Sequence, residues 1–143
     1  MAPTRVLLVE DDQEVAGFLR DLLGRKGYRV RHARSGTEAL AAIACQDGGS
    51  YDAVLLDWNL PFYQGGKLLS LIRESSRMPE LPVIVLTGSA SPEDRESALP
   101  LGVSAFLRKP SSAGEILAAL QAAVAANSAF TGAAARALDS SRS

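Results

Sequence analysis

The sequence predicts an α/β fold: a doubly wound, five-stranded parallel sheet with helices on both faces. Short aliphatic runs alternate with amphipathic stretches five times along the chain, and the connections between them are brief. Two of these runs are apolar at successive positions rather than at every second one, as strands covered on both faces are. Right-handed crossovers between such strands wind the helices onto both sides of the sheet.

Residues Arg5 to Val9 form the first run, which ends abruptly at Glu10, Asp11 and Asp12. Val15, Phe18, Leu19, Leu22 and Leu23 then recur at the spacing of one helix face, and Gly27 is placed to end that helix. Tyr28 to Ala33 alternates in part and carries two arginines and a histidine, the pattern of a less buried strand near the sheet edge. Ser35 with Glu38 three residues on reads as a capping box, opening a helix through Leu40 and Ile43. Asp52 to Leu56 is the third strand, closed by Asp57. A loop with Pro61, Gly65 and Gly66 leads to a helix carrying Leu68, Leu69, Leu71 and Ile72, which closes before Pro79. Pro82 introduces strand four, Val83 to Leu86, which ends at Thr87 and Gly88. Ser91, Pro92 and Asp94 supply a cap, a first-turn proline and an acid for the next helix. Val103 to Leu107 is the fifth strand, followed by Lys109 and Pro110. Ser111 or Ser112 begins a last helix through Ala126. Residues 127–143, rich in alanine and serine, read as a tail or linker, or as a continuation of that helix.

At 143 residues and 15.1 kDa the chain has room for one domain with a proper core. Apolar residues at 47% and charged ones at 22% exclude wholesale disorder and fibrous repeats. Fifteen basic residues against sixteen acidic ones provide no overall basic field for nucleic-acid phosphates or anionic lipid, so neither is expected as a direct partner. The single cysteine, Cys45, excludes an internal disulfide, and the single histidine, His32, excludes a histidine-based zinc site. No apolar stretch matches a signal sequence or a membrane span, and the cytoplasm is the expected compartment.

The chemistry gathers at the carboxyl ends of the strands, the edge where doubly wound sheets bind ligands. Glu10 and Asp11 follow strand one, Asp57 strand three, Thr87 strand four and Lys109 strand five. Alone, the acids at 10 to 12 read as solvated turn residues with a helix cap; in the company of Asp57 they read as a site. Carboxylates about 5 Å apart repel by roughly 3 kcal/mol per pair at an effective dielectric near 20. Lys109 supplies one balancing charge. A hard divalent ion, Mg²⁺ by its taste for oxygen donors and retained waters, supplies the rest. A carboxylate, a cation, a hydroxyl and an ammonium facing one point can stabilise a transferring phosphoryl group, with Asp57 as nucleophile and an aspartyl phosphate as product. Asp12 is expected mainly to cap the first helix, and Trp58 to be an exposed or half-buried ring beside the site.

These residues stand in four motifs: Val9-Glu10-Asp11-Asp12, Leu55-Leu56-Asp57-Trp58-Asn59-Leu60-Pro61 with Gly65, Val85-Leu86-Thr87-Gly88, and Phe106-Leu107-Arg108-Lys109-Pro110. In order, each at the end of its strand, they resemble the receiver domains of two-component response regulators over about residues 4 to 126. The resemblance implies a flavodoxin-like sheet in the order 2-1-3-4-5 and a receiver domain at 1–126 with 127–143 as tail. It implies a signalling module rather than an enzyme with its own substrate, chemotaxis-regulator-like, taking phosphate from a sensor histidine kinase or phosphotransfer protein. By the same resemblance Asp57 is the phosphoacceptor, Asp11 a direct Mg²⁺ ligand, Glu10 a ligand through water, and Asn59 a ligand through its backbone carbonyl. Thr87 and Phe106 match the switch pair, Lys109 the phosphate-binding lysine, and the bond to Pro110 is expected to be cis. The resemblance also implies that Asn59 and Ser89 flank the path of water to the acyl phosphate, whose loss is expected not to be unusually slow.

The family signals through helix four, strand five and helix five, and here the chain departs from the pattern. Pro100 falls in the last turn of helix four, where it lacks an N–H and would clash with the carbonyl of Glu96, so an early end or a kink is expected near Ala98. Helix five carries one charge, Glu115, and many alanines beyond its core stripe of Ile116, Leu117, Leu120 and Val124, which admits a partner contact or a homodimer. Two alternatives stand beside the signalling module. One is a small phosphohydrolase with an aspartyl-phosphate intermediate, disfavoured because Glu10 to Asp12 lacks the Asp-x-Asp motif of such enzymes and Asn59 would be a poor general acid. The other is a receiver fragment of a larger regulator or hybrid kinase.

Overall fold

The computed structural model describes residues 3–45, 50–63, 65–75, 80–88, 91–109 and 111–141, side chains at 65, 75 and 128–141 excepted. The elements run β1 (Arg5–Val9), α1 (Gln13–Arg25), β2 (Arg29–Ala33), α2 (Gly36–Cys45), β3 (Ala53–Asp57), α3 (Gly65–Ser75), β4 (Val83–Thr87), α4 (Pro92–Ala98), a 3-10 turn (Leu99–Leu101), β5 (Ala105–Arg108) and α5 (Ala113–Ser141). The strands pair in parallel in the order 2-1-3-4-5, as expected.

Two apolar layers hold the sheet. On one face Val6, Leu8, Leu55 and Ile84 meet Leu19 and Leu23 of α1 and Ile116, Leu120 and Ala123 of α5. On the other, Leu7, Val9, Val54, Leu56 and Val85 meet Ala39 and Ile43 of α2, Leu68 and Ile72 of α3 and Ala98 of α4. β3 and β4 are buried at every position, which is why their sequences read as continuous aliphatic runs.

Local signals in the sequence set the helix ends. Asp12 caps α1, its Oδ1 accepting from the N–H groups of Glu14 at 2.9 Å and Val15 at 3.2 Å. Gly27 closes α1 at φ +88°, a left-handed conformation that a residue with a Cβ adopts only at a cost. Ser91 and Asp94 form a reciprocal capping box on α4. At α2 the pattern is half reciprocal: Ser35 Oγ accepts from the Glu38 N–H, but the Glu38 carboxylate reaches the Arg34 N–H instead of Ser35. α4 ends at Ala98 and passes into the 3-10 turn that contains Pro100, where the missing N–H demanded a break.

Two expectations about packing need correction. The helical spacing puts Phe18 on the buried stripe of α1, but it is 53% exposed and the buried face is built from Ala16, Leu19 and Leu23. Phe18 lies about 100° round the helix from Leu19 and further from Ala16 and Leu23, off the centre of the contact. Trp58 is buried, not half-buried or exposed, because α3 and Phe106 close over its ring.

Candidate functional site

The sheet register brings the functional residues to one edge. Asp57 stands beside Leu86 and Thr87 beside Arg108, so β3, β4 and β5 end nearly level. Main-chain bonds continue the ladder past the strands: Glu10 N–H donates to the Ala33 carbonyl at 3.0 Å, Trp58 N–H to Leu86 at 2.9 Å and Lys109 N–H to Thr87 at 2.6 Å. The side chains at this edge are thus carried by backbone tied to a neighbouring strand.

Carboxylate oxygens of Glu10, Asp11 and Asp57 lie within 4.8 Å of one another, with Glu10 and Asp57 buried and Asp11 exposed. Three hard oxygen donors at this spacing, one open to solvent, fit a divalent cation that keeps some of its waters. Lys109 Nζ reaches into the cluster, 2.9 Å from Glu10 Oε2 and 3.5 Å from Asp57 Oδ1. Burial pushes the Glu10 carboxyl above the usual range; the Lys109 hydrogen bond opposes this and the Asp57 charge adds to it. Burial alone would lower Lys109, but its bond to Glu10 and the charges of Asp57 and Glu10 outweigh that, and its net shift is upward.

The surrounding groups are oriented by the same short segments. Asp57 Oδ1 accepts from the Asn59 N–H at 3.0 Å, and Glu10 Oε1 from the Asp12 N–H at 3.2 Å. The Thr87 hydroxyl donates to Asn59 Oδ1 at 2.9 Å, and the Gly88 N–H reaches the same oxygen at 3.1 Å. The Asn59 side chain therefore bridges the ends of β3 and β4, a contact added to the metal-ligand and water-path roles expected of this residue. Phe106 is half-buried, edge-on to Trp58 at 5.4 Å between centroids, with the Arg95 guanidinium over its ring at 5.4 Å. A cavity of about 340 Å³ opens between Thr87, Pro92, Arg95, Phe106 and Arg108. Ser89 and Pro110 lie outside the described residues.

Residues 6–121 match the model of the response regulator receiver domain family. The chain belongs to that family. Its receiver is 38% identical over 117 residues to the transcriptional regulatory protein GltR of Pseudomonas aeruginosa, covering 82% of this chain and 47% of that protein. It is 37% identical over 120 residues to the response regulator MprA of a Mycobacterium species, covering 84% and 50%. The chain thus spans about half the length of these curated relatives. Among solved structures, a CheY-like receiver from Methanospirillum hungatei superposes with a TM-score of 0.83 at 26% identity, covering 90% of this chain and 99% of that one. The HemR receiver of Leptospira biflexa gives 0.75 at 31% identity, covering 85% and 94%. Among the described residues of this receiver no helix is long and apolar enough to cross a membrane.

Proposed function

We propose that this receiver accepts a phosphoryl group on Asp57 from a phosphohistidine donor, a sensor kinase or phosphotransfer protein, and passes the signal to a partner by changing its surface. The observation that carries the reading is the convergence of Glu10, Asp11 and Asp57 within 4.8 Å, with Lys109 among them. Asp57 Oδ1 is engaged by the Asn59 N–H and Lys109, which leaves Oδ2 to attack phosphorus in line. The new P–O bond forms as the donor's P–N bond breaks, and the imidazole leaves with the electron pair. Lys109, now on Glu10 and Asp57, takes up charge on an equatorial phosphoryl oxygen. Mg²⁺ held by Glu10, Asp11, Asp57 and the Asn59 carbonyl would supply Lewis-acid stabilisation of that charge.

Thr87 and Phe106 are the switch in this reading. The Thr87 hydroxyl exchanges Asn59 for a phosphoryl oxygen, and the 340 Å³ cavity beside Phe106 gives its ring room to turn. Donor approach is supported by an apolar cleft of about 500 Å³ with Lys109, Phe18, Leu86 and Ile116 in its walls. The output face is α4, β5 and α5, where Ala118, Ala122, Ala125 and Ala126 are exposed and admit a partner or a second copy. The chain turns over only its own phosphate, acts in the cytoplasm, and uses residues 1–126 as the receiver with 127–143, which continue α5 as far as Ser141, as a tail or linker.

The test is mass spectrometry after incubation with acetyl phosphate and Mg²⁺. Gain of one phosphoryl group by the natural chain and none by Asp57→Asn supports the reading; equal gain by both sinks it. Release of phosphate from added phosphomonoesters would favour the phosphohydrolase alternative.

A further inference from the structure

Charge is distributed unevenly along this chain. Between Arg20 and Arg34 stand six basic residues and one acid, Asp21, whereas the rest of the sequence has nine basic and fifteen acidic residues. All six cations, Arg20, Arg25, Lys26, Arg29, Arg31 and Arg34, are exposed. Arg25 alone has the local acid as a partner, a 3.0 Å pair with both side chains mostly in solvent. The segment comprises the end of α1 and the whole of β2, the outermost strand of the sheet on that side.

Backbone geometry shows what this edge offers. Arg29 N–H donates to the Thr4 carbonyl and the Ala33 carbonyl accepts from Glu10, so residues 29, 31 and 33 turn their main-chain groups toward β1. Along a strand successive residues alternate, so Val30 and His32 turn their N–H and C=O groups outward, away from the sheet. Among the described residues no strand pairs with that outer edge. Beside it lies an open groove of about 480 Å³ lined by Gly17, Arg20, Asp21, Gly24, Tyr28 and Val30, in which neither glycine has a neighbour within 4 Å of where a Cβ would stand; the one acid, Asp21, is paired with Arg25.

We propose that β2 is a docking edge for an acidic polypeptide segment that adds as a further strand, hydrogen-bonding to Val30 and His32 and lying among Arg20, Arg29, Arg31 and Arg34. The proposal is independent of the phosphate chemistry. Excess positive charge selects an acidic partner, and free strand donors and acceptors select an extended peptide over nucleic acid, which has no backbone amides to match them. Nucleic acid would also meet repulsion from the acidic remainder of the surface.

The probe is a dye-labelled twelve-residue peptide alternating glutamate and valine, titrated into the full chain by fluorescence anisotropy at low and at physiological salt. Expected are saturable binding, weakening of about tenfold or more in Arg29→Glu/Arg31→Glu, and a similar loss in Val30→Pro, which removes an outward N–H without touching the β1 ladder. Hydrogen exchange on the natural chain gives a readout that needs no variant: bound peptide slows the amides of Val30 and His32. Retained phosphate uptake on Asp57 shows that the variants are folded and separates this outcome from failure of the phosphoacceptor reading. No binding at low salt, binding without added protection of those two amides, binding to folded Val30→Pro as tight as to the natural chain, or tighter binding of an oligonucleotide of equal charge each overturns the proposal. In those cases the arginines only keep the edge from pairing.

Discussion

Replacing Lys109 by methionine tests whether the site is an electrostatic cluster or a set of packed side chains. The ammonium lies 2.9 Å from Glu10 and 3.5 Å from Asp57, and at an effective dielectric near 20 each contact is a gross attraction of roughly 5 kcal/mol. Much of that is offset by desolvation of the lysine, and removing one partner of a buried ion pair typically costs about 3–5 kcal/mol because the other charges stay behind. Methionine keeps the length and apolar stem of the side chain, so lost packing contributes little. The expected loss of unfolding free energy at neutral pH without divalent cations is therefore about 3 kcal/mol.

Its dependence on conditions is the sharper part of the prediction. Glu10 is already raised by burial, and without the opposing Lys109 hydrogen bond and charge it shifts further upward. A carboxyl raised in the folded state binds its proton more tightly there than when unfolded, so stability falls as pH rises from the ordinary carboxylate value toward neutrality. The deficit of Lys109→Met therefore shrinks as pH is lowered toward 5. In the natural chain Lys109 is raised, so its contribution is complete below its ordinary value and is lost only in the alkaline range, as pH rises through the folded value. Magnesium at ten times its dissociation constant adds about 1.4 kcal/mol to either chain, and more to Lys109→Met at a fixed concentration if its site binds more tightly. Urea unfolding at pH 5 and 7.5, with and without MgCl₂, reads all of this. An equal deficit under all conditions would show that Lys109 acts by packing and would refute the charge argument.

Phe62 follows Pro61 at φ +70° with its ring wholly exposed, and Phe62→Gly is expected to gain about 0.5–1 kcal/mol in urea unfolding, the left-handed penalty less the entropy of glycine. A Cβ at Gly36 would lie 2.5 Å from the Tyr63 ring, so Gly36→Ala should cost about 1–3 kcal/mol, and much less in a Tyr63→Ala background; equal costs in both would show that the ring is not the obstacle. Arg73→Met removes charged hydrogen bonds to the carbonyls of Leu81, Leu101 and Gly102 and is expected to destabilise by about 2–3 kcal/mol with an unchanged denaturant slope. Pro100→Ala alone should leave the helical chemical shifts ending near Ala98, whereas continuation of α4 through Leu101 would show that the proline is the sole cause of the break.

The five strands and their common edge were legible because a buried parallel strand leaves little choice of residue, and Glu10, Asp57 and Thr87 each interrupt an aliphatic run where the sheet ends. Caps at Asp12 and Ser91 were legible for the same reason: they act within three residues of themselves. What could not be read depended on residues distant in sequence. Trp58 looks like an edge residue until Phe106, 48 positions later, and α3 close over it. The preference of Lys109 for Glu10 over Asp57 spans 99 residues and turns on a difference of 0.6 Å. The strain at Phe62 did carry a signal, a bulky residue directly after proline in a turn, where glycine would be at ease.

The end of α4 is fixed more firmly than one proline requires, and this bears on the output face. Pro100 leaves the Glu96 carbonyl without its helical donor, Gly102 turns the chain at φ +74°, and Arg73 of α3 binds the carbonyls of Leu101 and Gly102. Two of these three constraints would survive loss of the proline. α4 is thus a seven-residue helix pinned at its far end to α3, with Arg95 in its middle lying over Phe106 and Ser97 beside Gly66 of α3. In the proposed switch, turning of Phe106 would meet α4 at Arg95, midway along the helix, while the contacts at its far end oppose displacement of the whole element. Under that proposal the change would be concentrated around Arg95, Pro92 and Arg108, the rim of the cavity beside Thr87, with the exposed Leu99 left in place.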